Sequence, residues 1–448
     1  FRMFRRCAWE RTTRFREDIV NGVDYDIFLK MAETGDFHHV NEVLYQRRWH
    51  GDNTSSVNEE HQTANTYRVQ RETLRRLGMD QHWDIHVPDP SQPRLVTHRL
   101  KPDTRMVVFW PDYSRANPYQ KLLYRDLRHE AEVVSGTIEA ALKLIADKVV
   151  DARDLTFHLH WLNALLLDCQ TEEIAQARAD DFVAKIRKFI WKGGRFVWTI
   201  HNSISHDARF ADIETGLSAR LAAAAQALYF HARASIDEVA AVFPVPREKA
   251  VVLPHGHYIG VYPDCVPRES ARALLGIAPD EDVIVFTGQI RGYKGISSLI
   301  AAFRRLLADR PKARLILAGA VDGPDPLGTQ MPPLTQAERD RILCVGRFVE
   351  DGEMQLFLRA ADMAAYPYEK ILTSGSLLLA LSYGVPCVVP RVGMTAEVLE
   401  GRDAGVLYEA KTADRGLEAA LRSLLALKDS GQLATTARKA RQASGRSS

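Results

Sequence analysis

The sequence predicts an α/β chain built around two doubly wound parallel sheets, one after the other. Three observations predict it. Short β-rich runs recur from residue 106 onward, at spacings that leave room for a helix between one run and the next. At 283–295 such a run leads into a glycine-rich loop and then into an apolar, periodic helix over 296–307. At 363–390 a strand end, a polar loop, a leucine-rich helix stopped by Gly384-Val385-Pro386 and a second apolar run follow in turn.

The bulk composition suits this class. With 448 residues, 46% hydrophobic and 26% charged, the chain has the length for two or three cores and the composition of an ordinary soluble domain. A formal net charge of +2 gives no sign of nucleic acid as a partner. No run approaches the roughly 18 to 20 uninterrupted apolar residues that a bilayer-crossing helix needs. Cys7, Cys169, Cys265, Cys344 and Cys387 stand singly, without metal-ligand spacing, which fits a reducing cytoplasmic setting.

Taken in order, residues 1–58 open on Phe1 inside a basic, aromatic stretch with no visible leader, which reads as a fragment. Arg2, Arg5, Arg6, Arg11, Arg14 and Arg16 crowd this end, either as a solvated charge run or as a contact with an anionic membrane face. An amphipathic helix over 25–33 ends at Gly35, and a short strand over 40–45 follows.

Residues 59–104 are polar, then rich in Pro, Asp and His, and read as a linker with one short helix over 67–77. His82 and His86 lie four apart there, with no third ligand to make a metal site. Residues 105–256 form the first sheet domain, with strands at 106–110, 132–134, 155–160, 196–200, 227–230 and 250–253. Residues 257–430 repeat the pattern at 283–287, 314–318, 342–345, 363–366, 386–389 and 405–408. A helix over 415–427 precedes a polar, cation-rich tail over 431–448 that composition marks as poorly ordered.

Candidate chemistry gathers in the loops after strands, where an open α/β sheet places ligand groups. Between Gly288 and Gly295, Arg291 offers a planar fork and Lys294 a point charge, both suited to phosphate oxygens. Thr373, Ser374, Gly375 and Ser376 open a helix, where hydroxyls, free N–H groups and the helix dipole either cap an ordinary helix or bind phosphate. Glu369 lies just before them. In the first domain the corresponding loops carry Asn117, then His160 with Trp161, then His201 with Asn202. His255 and Gly256 fall at the junction of the domains, as a structural turn or as a hinge with a side chain in the cleft.

The segments Gly288–Gly295 and Pro367–Pro386, with the helix-breaking Ser-Tyr-Gly-Val-Pro, resemble the donor-binding domain of GT-B glycosyltransferases of the large retaining family, of bacterial surface-polysaccharide type. That resemblance implies two Rossmann-like domains facing across a cleft. It implies transfer of a hexosyl group from a nucleotide diphosphate sugar to a saccharide or lipid-linked saccharide, with retention and with no metal or other cofactor. Arg291, Lys294 and the Ser374-Gly375 helix start would then stabilise the leaving diphosphate. His201 would approach the reacting centre, and Asn117, His160, Asn202 and His255 would fall on the acceptor side. The resemblance also implies work at the inner face of the membrane.

The family's two glutamates, eight positions apart, correspond here to Ile371 and Leu379. That departure leaves open a rival reading, a catalytically degenerate binding module of a larger polysaccharide synthase. A phosphorylase or epimerase on the same fold is the other rival, though no pyridoxal-type lysine is marked. Residues 1–58 resemble the C-terminal end of a GT-A inverting glycosyltransferase, which would make Asp24 a base and His50 a metal-side ligand in a longer parent.

Overall fold

The computed structural model describes residues 4–19, 22–35, 37, 59–92, 96–205, 208–291, 294–321, 334–368, 371–410 and 413–445. By internal contacts the chain divides into two compact units. The first is Phe1–Val108 with Tyr124–Val134 and Lys143–Thr156; the second is Phe109–Leu123 with Ser135–Leu142 and Phe157–Ser448.

In the first unit a helix runs over Val23–Ala32, close to its predicted span, with Asp24 in its opening turn. The predicted strand over 40–45 and His50 lie outside the described residues. The linker reading of 59–104 is corrected. An 18-residue helix covers Glu59–Arg76, and strands β1 (Trp83–His86) and β2 (Thr97–Leu100) pair antiparallel. Polar composition concealed a narrow buried stripe, in which Val69 is 1% exposed and Gln70 donates to the Tyr25 hydroxyl at 3.2 Å. Charge does the rest, since Arg16 and Arg68 both reach Asp18 and Glu72.

The first parallel sheet holds β3 (Met106–Trp110), β4 (Glu132–Ser135), β5 (Leu155–Leu159), β6 (Arg195–Thr199), β7 (Ala227–Phe230) and β8 (Ala250–Val252). Their order is β4-β3-β5-β6-β7-β8. The second holds β9 (Asp282–Thr287), β10 (Ala313–Ala318), β11 (Ile342–Cys344), β12 (Met363–Ala365), β13 (Cys387–Pro390) and β14 (Gly405–Tyr408), in the order β11-β10-β9-β12-β13-β14. The central strands β9, β12 and β13 are buried on both faces, which explains why β9 reads as an unbroken apolar run. The helix Ile296–Asp309 turns Ile296, Leu299, Ile300, Phe303 and Leu306 into the core, the spacing of one helical face. Full burial of side chains such as Phe286 and Phe303 contributes about 1.5–3 kcal/mol each.

Both orders reverse once, between β3 and β5 and between β9 and β12. In an open parallel sheet the crevice at such a reversal is where ligands bind.

The poorly ordered tail predicted over 431–448 is also corrected. Leu433–Gly445 is a helix whose Ala440 and Ala443 are 0% and 3% exposed. It packs on the helix Gly375–Ser382. A face made of alanines carries little hydropathy signal yet lets two backbones approach closely.

Candidate functional site

Two glycines fix the geometry at the reversal of the second sheet. Gly295 has φ +69°, and a Cβ there would stand 2.0 Å from the Pro367 carbonyl oxygen, so the loop after β9 lies directly on the loop after β12. Gly288 has φ +112°, and its bare face is lined by the Ser376 hydroxyl and the Lys294 ammonium, 2.9 and 3.5 Å from where a Cβ would be. Side chains from two distant segments thus converge on one open point.

Ser374 caps the helix Gly375–Ser382: its Oγ accepts from the Leu377 N–H at 3.1 Å and donates to the Tyr368 hydroxyl at 3.0 Å. Tyr368 also offers its ring to Lys294, whose Nζ lies 5.8 Å from the centroid. Burial, and then the neighbouring Arg291, lower the Lys294 pKa to about 8. Arg291 is half-buried beside Lys294, and the half-buried Thr373 precedes the Ser374 cap. Glu369 lies outside the described residues.

At the reversal of the first sheet, successive strand ends deliver histidines to one place. His160 follows β5, His201 follows β6, His231 follows β7 and His255 follows β8. His160 and His201 share a hydrogen bond of 3.1 Å between Nδ1 and Nε2, so one ring supplies the proton and the other accepts it. Trp161 stacks on His201 at 4.0 Å and 13°. Tyr119 sits among them, its ring centroid 5.0 Å from His201, 5.3 Å from His231 and 4.9 Å from His255.

Asn117 has a local task. Its Oδ1 accepts from the Tyr119 N–H at 3.0 Å and so sets the turn that delivers Tyr119. Gln120 pins the same loop, accepting from the Tyr113 N–H and donating to the Pro111 carbonyl. Asn202 borders a small cavity shared with His160, Trp161, His201 and Glu214. The buried Glu214 carboxylate accepts from both the N–H and the hydroxyl of Ser205, which holds the loop after His201.

Burial pushes His158 and His255 down to about 3 and His231 to about 4, and holds His160 and His201 well below their ordinary value. All five rings are neutral at pH 7. Neutral imidazoles donate and accept hydrogen bonds with uncharged hydroxyls, whereas the Lys294 point is made for negative charge.

Asn202, His160, His201 and His255 are therefore brought to one reversal, and Lys294, Ser374, Gly375 and Ser376 to the other. Sequence reasoning placed Tyr119 and Tyr368 in candidate loops without giving them a role, and missed His231 and Glu214. Only His231 had a readable signal, as the residue just past a predicted strand end. Among the described residues no group of three or more His, Cys, Asp or Glu side chains has the geometry to hold a metal ion. No helix among them is long and apolar enough to cross a membrane.

The chain is similar to known glycosyltransferases. Residues 281–426 match the family model of glycosyl transferases group 1. D-inositol 3-phosphate glycosyltransferase of Kineococcus radiotolerans is 28% identical over 238 residues, 50% of this chain and 54% of that protein. Chondroitin synthase of Escherichia coli is 45% identical over 82 residues, 18% of this chain and 12% of the synthase. The chain thus spans about half of the first relative and a small part of the second. HepE of Anabaena, solved with UDP, superposes with a TM-score of 0.55 at 17% identity, covering 77% of this chain and 95% of HepE. WaaG, a glycosyltransferase involved in lipopolysaccharide biosynthesis, gives 0.52 at 16% identity, with 76% and 95% covered. Residues 281–426 are thus similar to the group 1 glycosyltransferases, and the two parallel sheets are those of the GT-B fold.

Proposed function

We propose that the chain transfers a hexosyl group from a nucleotide diphosphate sugar to a hydroxyl of a saccharide or lipid-linked saccharide, in the synthesis of a surface polysaccharide. The observation that carries this reading is the convergence of Lys294, Ser376 and the start of the helix Gly375–Ser382 at the reversal between β9 and β12. A diphosphate placed there meets a cation, a hydroxyl and unpaired helical N–H groups, with Arg291 beside Lys294. These groups stabilise the charge that develops as the bond from the anomeric carbon to the phosphate oxygen breaks, with no call on a divalent ion.

As that bond breaks, the acceptor oxygen bonds to the anomeric carbon, and its proton passes to the departing phosphate oxygen. Transfer on the same face of the sugar retains the configuration. Neutral His201, held by Trp161 and His160, hydrogen-bonds the donor hexose. His255 and Asn202 belong to the sugar side of the same cleft. The short likenesses to chondroitin and hyaluronan synthases support a saccharide acceptor.

A second reading rests on Leu379, which is 6% exposed in the core where the family carries a glutamate. On that reading the module binds without turning over. Saturation-transfer NMR with UDP-, GDP-, ADP- and dTDP-sugars in EDTA separates the two when paired with an assay for released nucleoside diphosphate. One nucleotide sugar is expected to bind and turn over, with turnover falling at least about a hundredfold in Arg291→Ala and Lys294→Ala. Binding without turnover would leave the second reading standing.

A further inference from the structure

The segment joining the two sheet domains carries Tyr258, whose side chain is buried at 4% exposure. Its backbone N–H is fixed by the Ser382 hydroxyl at 3.0 Å. The phenol oxygen lies 3.0 Å from where a Cβ on Gly375 would stand, at the first residue of the helix Gly375–Ser382. Glycine at that place is what lets the hydroxyl come so close. Among the described residues the hydroxyl makes no hydrogen bond, although the side chain that carries it is almost wholly buried. Gly375 and Ser376 present the first N–H groups of that helix, which have no intrahelical acceptor.

We infer that the Tyr258 hydroxyl is a further ligand of the donor diphosphate, donating to an oxygen of the phosphate farther from the nucleoside, at the helix start. The inference rests on the donor-site reading above and deepens it. Burial holds the phenol well above its ordinary range, so it stays protonated and donates at every working pH. Its ring is 5.6 Å from that of His255, which is 4.9 Å from Tyr119, itself 5.0 Å from His201. The ligand at the phosphate end thus abuts the ring cluster at the sugar end.

Tyr258→Phe keeps the ring and removes the donor. Calorimetric titration of the full chain with UDP, GDP, ADP and dTDP, and with the matching monophosphates, tests it for whichever pair binds best. The variant is expected to lose about tenfold in diphosphate affinity, the worth of one hydrogen bond to a charged group, while monophosphate affinity stays within about twofold. Unchanged diphosphate affinity, or an equal fall for both nucleotides, overturns the inference, the second outcome marking a purely structural residue. Lys294→Ala runs beside it. If Lys294→Ala loses diphosphate affinity and Tyr258→Phe does not, only this inference falls; if neither does, or no diphosphate binds, the donor-site reading falls too.

Discussion

The five buried histidines make the sharpest statement about single residues. Each is neutral in the fold, with values near 3 for His158 and His255 and near 4 for His231, and each titrates near 6.5 once unfolded. The unfolded chain therefore binds more protons below about pH 6.5, and stability falls as pH falls, by up to about 1.4 kcal/mol per pH unit for each histidine. The loss runs on until the folded-state values are reached. Thermal unfolding followed by circular dichroism is expected to shift down by about 5–10 °C between pH 7 and pH 5.5. A flat midpoint over that range contradicts the burial of the cluster. Little of this was legible beforehand, because strand spacing does not give strand order, and only the order β3-β5-β6-β7-β8 brings the rings together. The Gly288 loop and the Ser374 cap were legible, since a glycine loop after a strand and a hydroxyl before a helix are local signals.

Among the elements, the helix Leu433–Gly445 carries the clearest test. Ala440 is fully buried, and Gly384 lies against the same helix, its would-be Cβ 3.2 Å from the Ala437 carbonyl. Ala440→Glu forces a charge into that contact and is expected to cost about 3 kcal/mol or more, seen as a lower urea midpoint. An unchanged midpoint means that the helix does not dock. The helix Ile296–Asp309 was predicted almost to the residue because its buried face is leucine, isoleucine and phenylalanine. The C-terminal helix was missed because its buried face is alanine. The helix Glu59–Arg76 was read short for a related reason: its buried stripe is narrow and partly polar, Val69 with Gln70 and Thr73, and ion pairs to Asp18 and Glu33 supplement it.

At the scale of the molecule, two sheets with one reversal each present different chemistry. One reversal gathers neutral rings suited to sugar hydroxyls, and the other gathers positive charge suited to a diphosphate. The two sheets were predictable in outline from the two runs of strands. The link between them through His255 and Tyr258 was not, since it depends on how the joining segment folds. The most direct test is calorimetric titration of a nucleoside diphosphate in EDTA from pH 6.5 to 9.5. Lys294 is charged below about 8 and neutral above it, so binding at higher pH must first take up a proton. The predicted result is affinity that is constant below pH 8, falls by up to about tenfold per pH unit above it, and becomes weak and flat in Lys294→Ala. Affinity that depends neither on pH nor on Lys294 would contradict the placement of the donor diphosphate between β9 and β12.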